Sequence, residues 1–254
     1  MITVEVPVEV PEPPQVELIE TDGEPLESDW HRIAMNILID SVKYHLHHRQ
    51  DFYVGGNMFI YFSLEQARNR DFRGPDFFFV DGVPGEPIRP YWAVWQEGGR
   101  YPDVVIELLS PKTATEDRTT KKDIYERVFH TAEYYCYDPA TQQLEGWRLE
   151  GGRYRPLTPN TQGWLWCEQL QLWLGTWSGP YLTNQATWLR FYDTAGQVVA
   201  VPTEALEVER QRAEAERQRA EAERQRAEAE RQRAEAAEAE LAQLRARLAQ
   251  LQRP

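Results

Sequence analysis

The stretch YPDVVIELLSPKTATEDRTTKKDIY, residues 101–125, decides the fold. It opens with Pro102-Asp103 and runs from Val104 to Leu109 with Glu107 as its one polar residue. It breaks at Ser110-Pro111, then resumes from Asp117 to about Phe129 with Ile124, Tyr125 and Val128 at helical spacing. A short apolar run closed by a turn and followed by a helix reads as a strand covered on both faces that feeds a helix, the repeating unit of an α/β sheet.

Working outward, Phe77 to Val80 is a second apolar run, and Tyr134 to Tyr137 a third, stopped by Asp138-Pro139. Phe52 to Phe62 is aromatic and β-branched with a Gly55-Gly56 break, a strand or the two arms of a bent hairpin. Before it, Ser28 or Asp29 offers a helix cap, and Ile33, Ile37, Leu38, Val42 and Leu46 give the spacing of an amphipathic helix from Trp30 to about His48. The predicted order is helix, three strands, helix, strand. Beyond it, Gln143 to Leu149, Arg153 to Leu157, Trp164 to Cys167, Leu170 to Trp177 and Trp188 to Tyr192 read as short strands joined by turns. Trp164, Trp166, Trp173, Trp177 and Trp188 fall in this region and are read as cross-strand packing. Cys136 and Cys167 stand in no metal-binding or disulfide spacing and are read as buried apolar residues.

The flanks differ in kind. Residues 1–27 are rich in Pro, Glu and Val and are predicted to form an extended acidic arm. Residues 28–203 make the domain, and 204–254 a highly charged helix that builds no core. That helix carries four identical ERQRAEA heptads from Glu209 to Ala236, with Ala at one seam position and Glu at the other. This pattern suits a solvated helix supported by Glu–Arg pairs three and four residues apart. Leu241, Leu244, Leu248 and Leu251 then form a short zipper pattern, the expected route to a homo-oligomer.

The net charge of −13 sits mostly in the flanks: residues 1–29 hold nine acidic groups and no basic one. The domain is nearly neutral, which leaves a polyanionic partner open. No run of about 18 apolar residues occurs, and the N-terminus lacks a basic, apolar leader, so a soluble cytoplasmic protein with no membrane partner is expected. No GxxxxGK[ST] loop is present, which argues against a nucleotide-binding enzyme.

Glu107 is the residue that asks for an explanation. A carboxylate inside Val-Val-Ile-Glu-Leu-Leu costs several kcal/mol to bury unless a cation or strong donors meet it. Asp103 shares its face but lies about 13 Å away at roughly 3.3 Å per residue, so a partner must come from another strand, and Asp76 at the mouth of the preceding apolar run is the natural one. Lys121 borders the inward face of the following helix, whereas Lys122 aligns with Arg118 and Glu126 and should face solvent. Two carboxylates and an amine at one strand end suit metal-assisted phosphodiester hydrolysis. A structural salt bridge from Lys121 to Asp117 or Glu107 is the plain alternative.

Residues 101–125, with Glu133-Tyr134-Tyr135, Asp138-Pro139, Gly74-Pro75-Asp76 and the late Trp188 to Tyr192 segment, resemble the Uma-type restriction endonuclease family of the PD-(D/E)XK nuclease superfamily. The resemblance covers about residues 20–200. It implies a restriction-endonuclease-like mixed sheet flanked by helices, Asp76 and Glu107 as ligands of Mg²⁺ (or Mn²⁺ in its place), and DNA as substrate. The superfamily's lysine two residues after the acid is Leu109 here, and Lys121 is the proposed substitute that positions or activates the attacking water. His31 resembles a recurrent family position and is read as a capping or packing residue. The leading expectation is an Mg²⁺-dependent endonuclease. The alternative is a catalytically silent nuclease-like module that binds a partner and assembles through its C-terminal helix.

Overall fold

The computed structural model describes Leu18, residues 28–69 and residues 74–251. The remainder of the acidic arm predicted for residues 1–27 lies outside the described residues, as do the side chains of Leu248 and Leu251. The chain divides into two compact units, Met1–Pro202 and Thr203–Pro254.

In the first unit, helix α1 (Asp29–His45) starts where Ser28 Oγ accepts the backbone N–H of His31 at 3.2 Å. Strands β1 (Phe52–Gly55), β3 (Phe77–Asp81), β5 (Val104–Leu108), β6 (Glu133–Asp138), β7 (Gln143–Glu150) and β8 (Arg153–Pro156) form a six-stranded mixed sheet in the order β1-β3-β5-β6-β7-β8. Only the β5–β6 pair is parallel, because a helical crossover joins those two strands. The remaining pairs are antiparallel. Helices α2 (Leu64–Asn69), α3 (Ala114–Glu116) and α4 (Lys122–Arg127), a two-stranded parallel ribbon of β2 (Ile60–Tyr61) and β4 (Trp92–Ala93), and an antiparallel sheet of β9 (Leu165–Cys167), β10 (Leu172–Tyr181) and β11 (Asn184–Tyr192) complete the unit.

Strand alternation divides the core in two. Phe77, Phe79, Val104, Ile106, Leu108, Tyr135 and Tyr137 point to one face, where α1 and the β9–β11 sheet cover them. Phe78, Val80, Val105, Tyr134 and Cys136 point to the other, under Tyr125 of α4 and the β2–β4 ribbon. The central strands are therefore dry on both sides, as their unbroken apolar runs require. The late tryptophans pack as read: Trp164 stacks on Tyr192 with centroids 3.9 Å apart, Trp166 meets Trp173 edge-on, and Trp188 stacks on Trp30 of α1. Both cysteines are free and buried.

Three features differ from the sequence reading. Phe52 to Phe62 is not a hairpin: β1 joins the main sheet and β2 the ribbon. The helix before β6 starts three residues early and contains a π-helical turn, Asp117–Lys121, between α3 and α4. Its predicted solvent face is occupied. Arg118 pairs with Glu145 at 2.7 Å, Lys122 Nζ lies 3.8 Å from the centroid of Trp147, and buried Glu126 binds Arg153 and the Tyr154 N–H. Val128, read as inward, is exposed instead, and Phe129 fills the core. The extra residue of the π turn rotates everything after it, and the β7–β8 hairpin covers the face that a regular helix would leave to water.

In the second unit, α5 (Pro202–Leu251) is a single helix whose described side chains from Leu206 onward are exposed. Arg210 pairs with Glu207 and Arg231 with Glu235, each at 3.0 Å, and Gln218 and Gln225 bind the Glu four residues before them. Such exposed pairs are screened by solvent and each contributes little. Among the described residues no helix is long and apolar enough to cross a membrane.

Candidate active site

Antiparallel pairing of β3 with β5 matches Phe77 to Ile106. Continuing that register one step sets Asp76 opposite Glu107, at the edge where the β3–β5 ladder opens. Gly56 makes room there, since a Cβ at that position would collide with the Asp76 carbonyl oxygen. The Asp76 carboxylate is fixed from two sides: Oδ2 accepts the Leu108 N–H at 2.8 Å and lies 3.5 Å from Nε2 of buried His31, which α1 delivers from the opposite face of the sheet.

Glu107, 1% exposed, points to the α4 face beside Cys136 of β6. Tyr125 donates its hydroxyl to Glu107 Oε1 at 3.0 Å, and Lys121 Nζ stands 3.3 Å from the same oxygen. Lys121 is 2.7 Å from Oδ1 of Asp117, itself 1% exposed, in an ion pair that falls short of an aligned hydrogen bond. The π turn makes this arrangement. Its backbone is pinned to β6 by the Tyr134 hydroxyl, which donates to the Asp117 carbonyl at 2.7 Å.

The electrostatics follow from the crowding. Burial drives Glu107 up to about 8; the Lys121 ammonium opposes that rise, while Asp117 and Asp76 add to it. Asp117 is raised as well, again chiefly by burial. Burial works against the Lys121 charge, but Glu107 and Asp117 outweigh it and hold the ammonium protonated well above the ordinary lysine range. Leu109, where a strand lysine would stand, is buried in the apolar layer, and the cation arrives from the helix instead.

The structure therefore brings Asp76, Glu107 and Lys121 into one cluster and adds His31, Asp117 and Tyr125. Asp103 is elsewhere: it accepts the Asp81 N–H at 2.7 Å and meets Arg100. Tyr125 is legible in the sequence only as an apolar-face residue, and His31 only as a packing one. Asp117 carries a signal, its four-residue spacing from Lys121, but that spacing cannot say which side of the helix the pair takes.

One oxygen of each strand-end carboxylate, Asp76 Oδ1 and Glu107 Oε2, makes no hydrogen bond among the described residues. Three carboxylates set against one ammonium leave the cluster net negative when ionised. The donor set is hard oxygen, suited to Mg²⁺ or Mn²⁺. Among the described residues no three of His, Cys, Asp and Glu converge as a complete ligand set, which is the ordinary situation for Mg²⁺ bound through one or two carboxylates with water and phosphate filling the rest.

The family model described as "Putative restriction endonuclease", Uma2, matches residues 5–178. The chain belongs to this family. The Uma2 match contains Asp76, Glu107, Asp117 and Lys121 and ends within β10, so α5 lies wholly beyond it. No curated protein matches the chain. Among solved structures, this Uma2 chain is similar to one described as a putative nuclease belonging to DUF820 from Anabaena variabilis. The two share 15% identity over 59% of this chain and 81% of that one, with a TM-score of 0.43.

Proposed function

We propose that this Uma2 chain is a divalent-metal-dependent endonuclease that hydrolyses DNA phosphodiester bonds at the Asp76–Glu107–Lys121 cluster. The observation that carries the reading is Glu107, a carboxylate sealed inside a central strand with one oxygen held by Tyr125 and Lys121 and the other without a hydrogen bond among the described residues. Burial of this kind is unfavourable for folding alone and is characteristic of sites with chemistry to perform.

Asp76 and Glu107 are the residues that would hold Mg²⁺ or Mn²⁺. When bound, such an ion polarises the phosphate and lowers the pKa of its water. The chain's own groups do the rest. Leu108 N–H and His31 hold the Asp76 carboxylate in one orientation, and the Tyr125 hydroxyl holds Glu107. Lys121 remains protonated, so its part is to donate to the attacking water or a phosphate oxygen and to balance charge, not to abstract a proton.

The test is cleavage of supercoiled, linear and single-stranded DNA with Mg²⁺ and with Mn²⁺ by the full chain and by Asp76→Asn. Metal-dependent cleavage by the first and none by the second is the expected result. Equal cleavage by both removes Asp76 from the chemistry and the proposal with it.

A further inference from the structure

The proposed site contains an unresolved competition. Lys121 touches the same Glu107 oxygen that Tyr125 holds, and a divalent cation on Glu107 would repel an ammonium 3.3 Å away. Lys121 cannot retreat cheaply to water, because its side chain is only 16% exposed, and a buried ammonium stripped of its partner is strongly unfavourable.

We infer that Asp117 is the positioning residue that keeps Lys121 in the site when Glu107 turns to a divalent cation. This rests on the proposed function and adds to it a residue with a separate task. Three observations converge on Asp117. It is the nearer of the two carboxylates to Lys121 Nζ, 2.7 Å against 3.3 Å. It is anchored independently of both partners, through its backbone N–H, which donates to the Thr113 carbonyl at 2.9 Å, and through the Tyr134 hydroxyl, which donates to its carbonyl. And it opens the π turn that ends at Lys121, so the local departure from a regular helix brings these two residues together on the inner face. With Asp117 in place, Lys121 exchanges a shared ion pair for a single one and remains beside the reacting groups. Without it, the lysine and the metal contest Glu107.

The decisive measurement is calorimetric titration of the full chain with MnCl₂, comparing wild type, Asp117→Asn, Lys121→Met and the double variant. Asp117→Asn should weaken Mn²⁺ binding by roughly tenfold, the scale of one lost charge interaction in a partly screened site. Lys121→Met should bind at least as tightly as wild type. In the Lys121→Met background, Asp117→Asn should change affinity by less than about twofold, because its effect passes through the lysine. Equal weakening in both backgrounds would make Asp117 act on the ion directly and overturn the inference, as would Asp117→Asn binding like wild type. Should Asp117→Asn fail to fold, Tyr134→Phe, which removes the hydroxyl that holds the Asp117 carbonyl but keeps the charge, should weaken binding in the same direction, and no change would count against the inference. Absence of Mn²⁺ binding by wild type would sink the metal-dependent function itself, whereas wild-type binding indifferent to Asp117 sinks this inference alone.

Discussion

Glu107 is held where it is least stable as an anion. Its ordinary value is 4.5 and its folded value is raised to about 8, chiefly by burial. The folded state therefore binds this proton more tightly than the unfolded chain. The contribution to stability is fully present below about 4.5 and is lost as pH rises through about 8. Glu107→Gln, which cannot ionise, escapes that loss. Thermal melts in EDTA should show the variant gaining on wild type between pH 5 and pH 8.5, and a constant difference across that range would mean that Glu107 is already ionised throughout. The two adjacent lysines separate in the same way. Lys121→Ala should depress turnover far more than Lys122→Ala, whose loss is a contact over Trp147 that contributes about 0.5–1 kcal/mol to stability. Equal effects on turnover would leave Lys121 without a special role.

At the scale of elements, the site depends on β3 and β5 being held in register and on a short loop passing close beneath Asp76. Gly56→Ala would drive a methyl group into the Asp76 backbone. It should destabilise the fold by about 1–3 kcal/mol and weaken Mn²⁺ binding, read by denaturant unfolding and by titration, whereas wild-type behaviour in both would show that the loop can shift without cost. The main strands were legible because dry central strands are written as unbroken apolar runs, and α1 because its spacing is regular. The β2–β4 ribbon and α2 were not, since two-residue strands and a six-residue helix are too short to carry a period. The π turn was invisible for another reason: Arg118, Thr119 and Thr120 suit an ordinary helix, and only the packing of Asp117 and Lys121 onto Glu107 and of Tyr134 onto the turn reveals the extra residue. That omission explains the misplaced Lys122, Glu126 and Val128. Asp76, Glu107 and Lys121 could be brought together on paper because strand alternation and one helix face suffice for them. His31 could not, because its approach depends on how α1 crosses the far side of the sheet.

At the scale of the molecule, the enclosed core belongs to the first unit, and α5 holds itself by pairs along its own surface. Deleting residues 203–254 should leave cooperative unfolding of the first unit unchanged in calorimetry, and loss of the transition would show that α5 supplies part of the core. The cluster of carboxylates around Lys121 has a reason to exist if it binds an ion. Crystals of the full chain grown with Mn²⁺ and measured at the manganese absorption edge address this directly. One anomalous peak is predicted, about 2.1 Å from an oxygen of Asp76 and an oxygen of Glu107, with Lys121 turned onto Asp117. An undisturbed Lys121–Glu107 pair with no peak beside it, at a Mn²⁺ concentration that supports cleavage, would contradict the account.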